Sequence, residues 1–433
     1  MTSRQFSSYQ THSRRVLIFL TIFTLLLPGA NPAGAYSVLT HEAIIDSAWE
    51  EAIKPSLLKR FPKTTPEELK AAHAFAYGGC TIQDLGYYPF GNKFFSDLVH
   101  YVRTGDFITA LLKDSSDVNE YAFALGALAH YAADNNGHRI AVNRTVPILY
   151  PKLRRKYGDQ VTYDEDRSSH LKTEFAFDVL QVAKGHYAPD AYRDYIGFEV
   201  SHDLLSRAFE ETYSVDLKSI FSDYDLAIGS YRRSLSSIIP TMTKVAWRLK
   251  KDTIQKDAPG VTRQQFLYHL SRSSYEKKWS NKYQKPGFGA WLLALLFRLL
   301  PKIGPFRALA FRTPTPEAEK LFMTSFNESV QQYERTVREE RESRHVTLIN
   351  DNFDTGTIMG PGQYGLADKA YAELLDRLSE RHFDNVSPEI RKAILDYFSD
   401  LQAPFTLKKD EKKWAKVVQE VDELKAFKPE SAD

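Results

Sequence analysis

His130, Asp134 and His138 stand four residues apart twice in the run Leu125 to Asn143, LGALAHYAADNNGHRIAVN. On an α-helix such positions advance only about 40° per step, so the three side chains share one edge. An edge with two imidazoles and a carboxylate can hold a metal ion. The same residues could instead be two hydrogen-bonded histidines and an aspartate touching a loop. Tyr121, Phe123, Leu125 and Leu128 mark the apolar helix before the motif, whereas Asn135, Asn136 and Gly137 are poor helix formers. His138 is therefore expected on a distorted last turn or just beyond it. A second i, i+4 pair, His170 and Glu174 in HLKTEFAFDVL, can chelate one ion from a helix whose Leu171, Phe175 and Val179 form the buried stripe.

Three further residues join these by type and place. His41 falls on the first turn of a helix that Thr40 would cap. Asp84 lies in a Gly-, Tyr- and Pro-rich loop, and His100 is near the end of a helix from Lys93 to Arg103. Five of the twelve histidines belong to this pattern, each on or beside a predicted helix end. Imidazole and carboxylate without thiolate suit zinc in an open, hydrolytic site better than in a closed structural one.

The elements that must position these residues are helices. Pro66 to Tyr77 reads as a helix with Thr65 as cap and Pro66 at its first position. A basic, polar connection runs from Pro151 to Ser168, and helical patterns continue through Ala191 to Tyr213, Leu217 to Lys251, Thr315 to Arg344, Leu366 to Arg381 and Ser387 to Leu401. A Gly- and Pro-rich stretch, Gly356 to Gly365, separates the last two from the rest, and the lysine-rich tail from Lys408 reads as a fraying, solvated helix. Period-two alternation persists nowhere in the histidine-bearing half, so the fold class is all-α. No tandem repeat, phosphate-cradling glycine loop or Gly-x-Ser-x-Gly elbow occurs.

Composition narrows the setting. Lys and Arg number 57 against 55 Asp and Glu, a formal charge of +2, which gives no global preference for nucleic acid or an acidic surface. Cys80 is the only cysteine, so no intrachain disulfide can form. Residues 1–35 have the pattern of an export signal: Arg14 and Arg15, an apolar run from Val16 to Leu27, then Ala33-Gly34-Ala35. At about 1.5 Å per residue the run is short for a membrane span, so cleavage is expected, leaving Tyr36 as the mature N-terminus. The segment Trp291 to Leu300 is apolar nearly all round and is followed by Lys302, Arg307 and Arg312. It reads as a buried core helix or as a peripheral membrane contact.

The order and spacing of these ligands from Tyr36 to Gly185 resemble the zinc-dependent phospholipase C family, whose relatives include single-strand nucleases and the catalytic part of the glycosylphosphatidylinositol-specific phospholipase D. The resemblance implies an all-helical domain over 36–187 with three zinc ions, and leaves 188–433 as a helical C-terminal region, separate or part of the same globule. It implies one zinc among Asp84, His100, His130 and Asp134, and a second with His138, His170 and Glu174. The third would take His41, Asp134 as a bridge, and the amino and carbonyl groups of the processed Tyr36, so signal cleavage would build part of the site. Asp84 is implied as the catalytic group that orients or deprotonates water. Two departures stand out: the step from Asp134 to His138 is four residues, where the bacterial phospholipases and nucleases usually have six, and a tyrosine replaces the usual N-terminal tryptophan.

The resulting expectation is an exported (periplasmic or secreted) zinc phosphodiesterase, a hydrolase acting on phospholipid. The alternatives are a single-strand nuclease, for which Tyr87, Tyr88 and Phe90 could supply base stacking, and a non-catalytic helical zinc-binding protein.

Overall fold

The computed structural model describes residues 37–184, 186, 197–239, 242, 245–246, 309–343 and 346–427. The signal-like segment, Tyr36 and the Trp291 to Leu300 segment lie outside these residues. Among the described residues there is no β-strand, only one isolated bridge between Asn352 and Thr357. No helix among them is long and apolar enough to cross a membrane.

The principal helices are α1 (Val38–Ala48), α2 (Pro66–Gly79), α3 (Lys93–Tyr101), α4 (Thr104–Asp114), α5 (Val118–Asn136), α6 (Asn143–Leu149) and α7 (Arg167–Ala183). They continue with α8 (His202–Tyr213), α9 (Tyr224–Arg233), α10 (Pro316–Ser343), α11 (Gly365–Ser379), α12 (Pro388–Tyr397) and α13 (Glu411–Ala426). Helix α5 runs through the centre and is buried from Glu120 to Asn136. Its N-terminus is fixed by Asp117, whose carboxylate accepts from the backbone N–H groups of Asn119 and Glu120. Helix α2 approaches it closely enough that a Cβ at Gly126 would stand 2.2 Å from the Ala76 carbonyl oxygen. Only glycine allows that crossing.

Around α5 the other helices are tied by buried polar groups as well as by apolar packing. Thr65 and Glu68 form a reciprocal capping box on α2. Tyr231 of α9 donates to the Gly78 carbonyl, and Tyr213 of α8 donates to the Val102 carbonyl after α3. From α10, Tyr333 donates to the Leu125 carbonyl, and Gln332 accepts from Asn136. One apolar cluster includes Leu39, Phe123, Phe209, Phe326, Leu375 and Leu424, so residues before and after position 187 share a core.

Several boundaries differ from those the periodicity predicts. Helix α1 begins at Val38 rather than after Thr40, because Asp178 of α7 accepts from the Leu39 N–H and the Thr40 hydroxyl and supplies the cap from across the fold. The Pro151 to Ser168 connection contains a short helix, Pro151–Tyr157. The pattern from Leu217 is split into Leu217–Ile220 and α9. The tail does not lie open throughout: α13 buries Val417, Val421 and Leu424.

Candidate metal centre

Every expected ligand among the described residues falls in one of three buried groups. His41, His130 and Asp134 form one, Asp84, His100 and His130 the next, and His138, His170 and Glu174 the last, with the potential ligand atoms of each group within 4.8 Å of one another. Six elements deliver them. His41 comes from α1, Asp84 from the 3-10 turn Ile82–Tyr87, His100 from the end of α3, His130 and Asp134 from α5, and His170 and Glu174 from α7. His138 sits on a π-helical stretch, Gly137–Val142, into which α5 widens where its sequence turns to Asn-Asn-Gly.

The spacing within the groups is informative. Two ligand atoms at about 2.0–2.1 Å from one tetrahedral ion must stand about 3.3 Å apart. Asp134 Oδ2 is 3.2 Å from His130 Nε2 and 3.6 Å from His100 Nε2, and His100 Nε2 is 3.5 Å from Asp84 Oδ1. The other Asp134 oxygen, Oδ1, is 3.5 Å from His41 Nε2. His170 Nδ1 and Glu174 Oε1 are 3.8 Å apart. The rings are oriented from behind: His100 Nδ1 is 2.7 Å from the Ser96 carbonyl, His130 Nδ1 is 3.0 Å from the Cys80 carbonyl, and His170 Nε2 meets the Val161 carbonyl. Such contacts fix the ring and the tautomer, leaving the opposite nitrogen for a metal.

Burial and charge set the protonation of these groups. Burial alone would raise the Asp134 pKa, but His130, His100 and His41 outweigh it and hold the carboxyl well below its ordinary range. Burial pushes Asp84 up, against the opposing pull of His100 and His130. Burial would lower His100, yet Asp134 and Asp84 raise it to about 10. His138 and His170 behave oppositely, lowered by burial to about 4.

The residues fit zinc. Asp84 Oδ1, His100 Nε2, His130 Nε2, both Asp134 oxygens and His170 Nδ1 are buried without a hydrogen-bond partner. An unpaired buried polar atom costs about 1–3 kcal/mol, and cations held by the three groups would satisfy them. Neutral imidazole and carboxylate donors without sulfur are a set zinc accepts.

Residues from far along the chain also reach this centre, and spacing gave no sign of them. Phe353 packs its ring against His100, His130 and Tyr131, and its N–H donates to the His100 carbonyl. Asp354 Oδ1 stands 3.4 Å from His138 Nε2. Both lie just before the Gly- and Pro-rich stretch that reads, in sequence, as a mere separator. The turn there needs Gly356, at φ +64°, because a Cβ would stand 2.3 Å from the Asn135 carbonyl oxygen. The aromatic loop offers less than its sequence suggests: Tyr87 and Tyr88 are buried, and only Phe90 is exposed.

No curated protein and no solved structure matches the chain. Residues 40–223, which contain all eight described ligand candidates, match the family described as zinc dependent phospholipase C. The match is confined to this part of the chain, and it supports a zinc-dependent phosphodiester hydrolase of the phospholipase C type.

Proposed function

We propose that the protein is exported and hydrolyses phospholipids at a cluster of three zinc ions, by attack of water on the phosphodiester. The observation that carries this reading is the division of Asp134, with Oδ1 toward His41 and Oδ2 toward His130 and His100, beside a separate His138, His170 and Glu174 group. A carboxylate so placed would bridge two ions. In this reading Asp84, His100, His130 and Asp134 hold the first zinc, His138, His170 and Glu174 the second, and His41, Asp134 and the N-terminal Tyr36 the third. Bound zinc supplies Lewis acidity, lowering the pKa of a water toward about 7 and neutralising the phosphate it attacks.

The chain's own groups do the remaining work. Asp84 Oδ1 faces the cluster without a hydrogen-bond partner, where it can orient the water and accept its proton. Phe353 lies against the His100 and His130 rings and keeps solvent from that side. The burial of Tyr87 and Tyr88 favours a lipid over a single-stranded nucleic acid, which would need exposed stacking faces.

The test is hydrolysis of phosphatidylcholine vesicles and of p-nitrophenylphosphorylcholine by protein purified with its natural N-terminus. Turnover that a chelator abolishes and zinc restores, and that Asp84→Asn removes while the zinc is retained, supports the reading. Turnover of single-stranded DNA alone would overturn it. Export is tested separately by sequencing the N-terminus of the mature protein, which is expected to start at Tyr36.

A further inference from the structure

Asp354 lies outside the segment that matches the family, yet it is a buried carboxylate held by several hydrogen bonds beside the second group. Tyr101 and Tyr364 both donate their hydroxyls to its Oδ2. Its backbone N–H donates to the Asn352 side chain, and its carbonyl accepts from the Asn143 amide. These contacts fix the carboxylate and turn its other oxygen, Oδ1, toward His138 Nε2 at 3.4 Å. That separation is long for a charge-assisted hydrogen bond, which is about 2.7–2.9 Å. It matches instead the 3.2 to 3.6 Å spacings among Asp84, His100, His130 and Asp134, and the about 3.3 Å that two ligands of one tetrahedral ion must keep.

We infer that Asp354 is the fourth protein ligand of the metal held by His138, His170 and Glu174. The inference rests on the metal reading above and extends it, since it brings the chain beyond residue 223 into the centre. Four protein donors close the coordination sphere of that ion. The metal then becomes a clamp between the π-helical stretch after α5, helix α7 and the turn before α11, and metal binding is linked to the docking of that turn. His138 Nδ1 also lacks a hydrogen-bond partner. In a competing arrangement Nδ1 meets the metal while Asp354 only accepts the Nε2–H.

The experiment is a zinc count and a competition titration against a chromophoric chelator, on the full chain, for the wild type, Asp354→Asn, Asp354→Ala and His138→Ala. Asparagine keeps the shape and an acceptor oxygen but is a poor zinc ligand. Both Asp354 variants are expected to lose the same single zinc as His138→Ala, with affinity at that site at least about tenfold weaker. Asp354→Asn holding that zinc within twofold of the wild type overturns the inference, whatever alanine does, and loss with alanine alone points to the outer arrangement. Should the variants fail to fold, hydrogen exchange of the wild type decides. Zinc is expected to protect residues 350–365, and no added protection counts against the inference. A wild type that binds no zinc overturns the metal reading itself, an outcome distinct from the Asp354 result.

Discussion

The two halves of the metal centre are built on opposite electrostatic plans. Around Asp134, carboxylates and imidazoles stand 3.2 to 3.6 Å apart and shift one another's charge: His100 is raised to about 10, and Asp134 is held well below its usual range. Around His138 and His170, burial prevails, and both rings are kept neutral down to about 4. Metal entering the first half must displace a proton from His100, whereas the His138 and His170 rings meet it already neutral. The first half draws its ligands from α1, the Asp84 turn, α3 and α5, all before residue 137, while the second is completed across the fold by the turn that carries Asp354.

The sharpest way to break this contrast is Asp134→Ala. Removing the bridge strips one ligand from each of two groups, and turnover should fall by about 1,000-fold or more, about 4 kcal/mol of transition-state stabilisation. Steady-state hydrolysis of p-nitrophenylphosphorylcholine measures it. Phe353→Ala comes next. The ring is fully buried against His100, His130 and Tyr131, so its loss should cost about 3–5 kcal/mol of stability in denaturant unfolding. His138→Ala, confined to the second half, should lower turnover by only about 10–100-fold, and an effect as large as that of Asp134→Ala would erase the contrast.

The smallest expected effect is on pH. His138 and His170 have folded pKa values near 4, below their ordinary 6.5. As pH falls below about 6.5 the unfolded chain takes up protons that the folded chain refuses, so the stability these groups contribute above that pH is lost progressively toward about pH 4. The metal-free protein should therefore melt at steadily lower temperature across that window. Replacing both histidines with glutamine should flatten the slope, and an unchanged slope would show that these two rings are not its source.

Much of this arrangement is legible in the sequence because helices translate spacing into position. The i, i+4 pairs His130/Asp134 and His170/Glu174 end up within 4 Å of each other for that reason. Thr65 and Pro66 mark the start of α2 through local chemistry alone. What stays hidden depends on contacts between distant segments. Asp178 caps α1 and so moves its first turn, an effect no local signal at Thr40 could carry. Asp354 has no periodic relation to the histidines, and hydrogen bonds to Tyr101 and Asn143, distant in sequence, and to Tyr364 hold it beside them. The tail from Lys408 misleads for a similar reason: its charge dominates the sequence, while three apolar side chains of α13 find the core.

Zinc stoichiometry, counted side by side in the wild type, Asp134→Ala and His138→Ala with the natural N-terminus intact, tests the bridged centre most directly. A shared carboxylate predicts three, one and two zinc ions per chain. Equal losses in the two variants, or one zinc or none in the wild type, would contradict it.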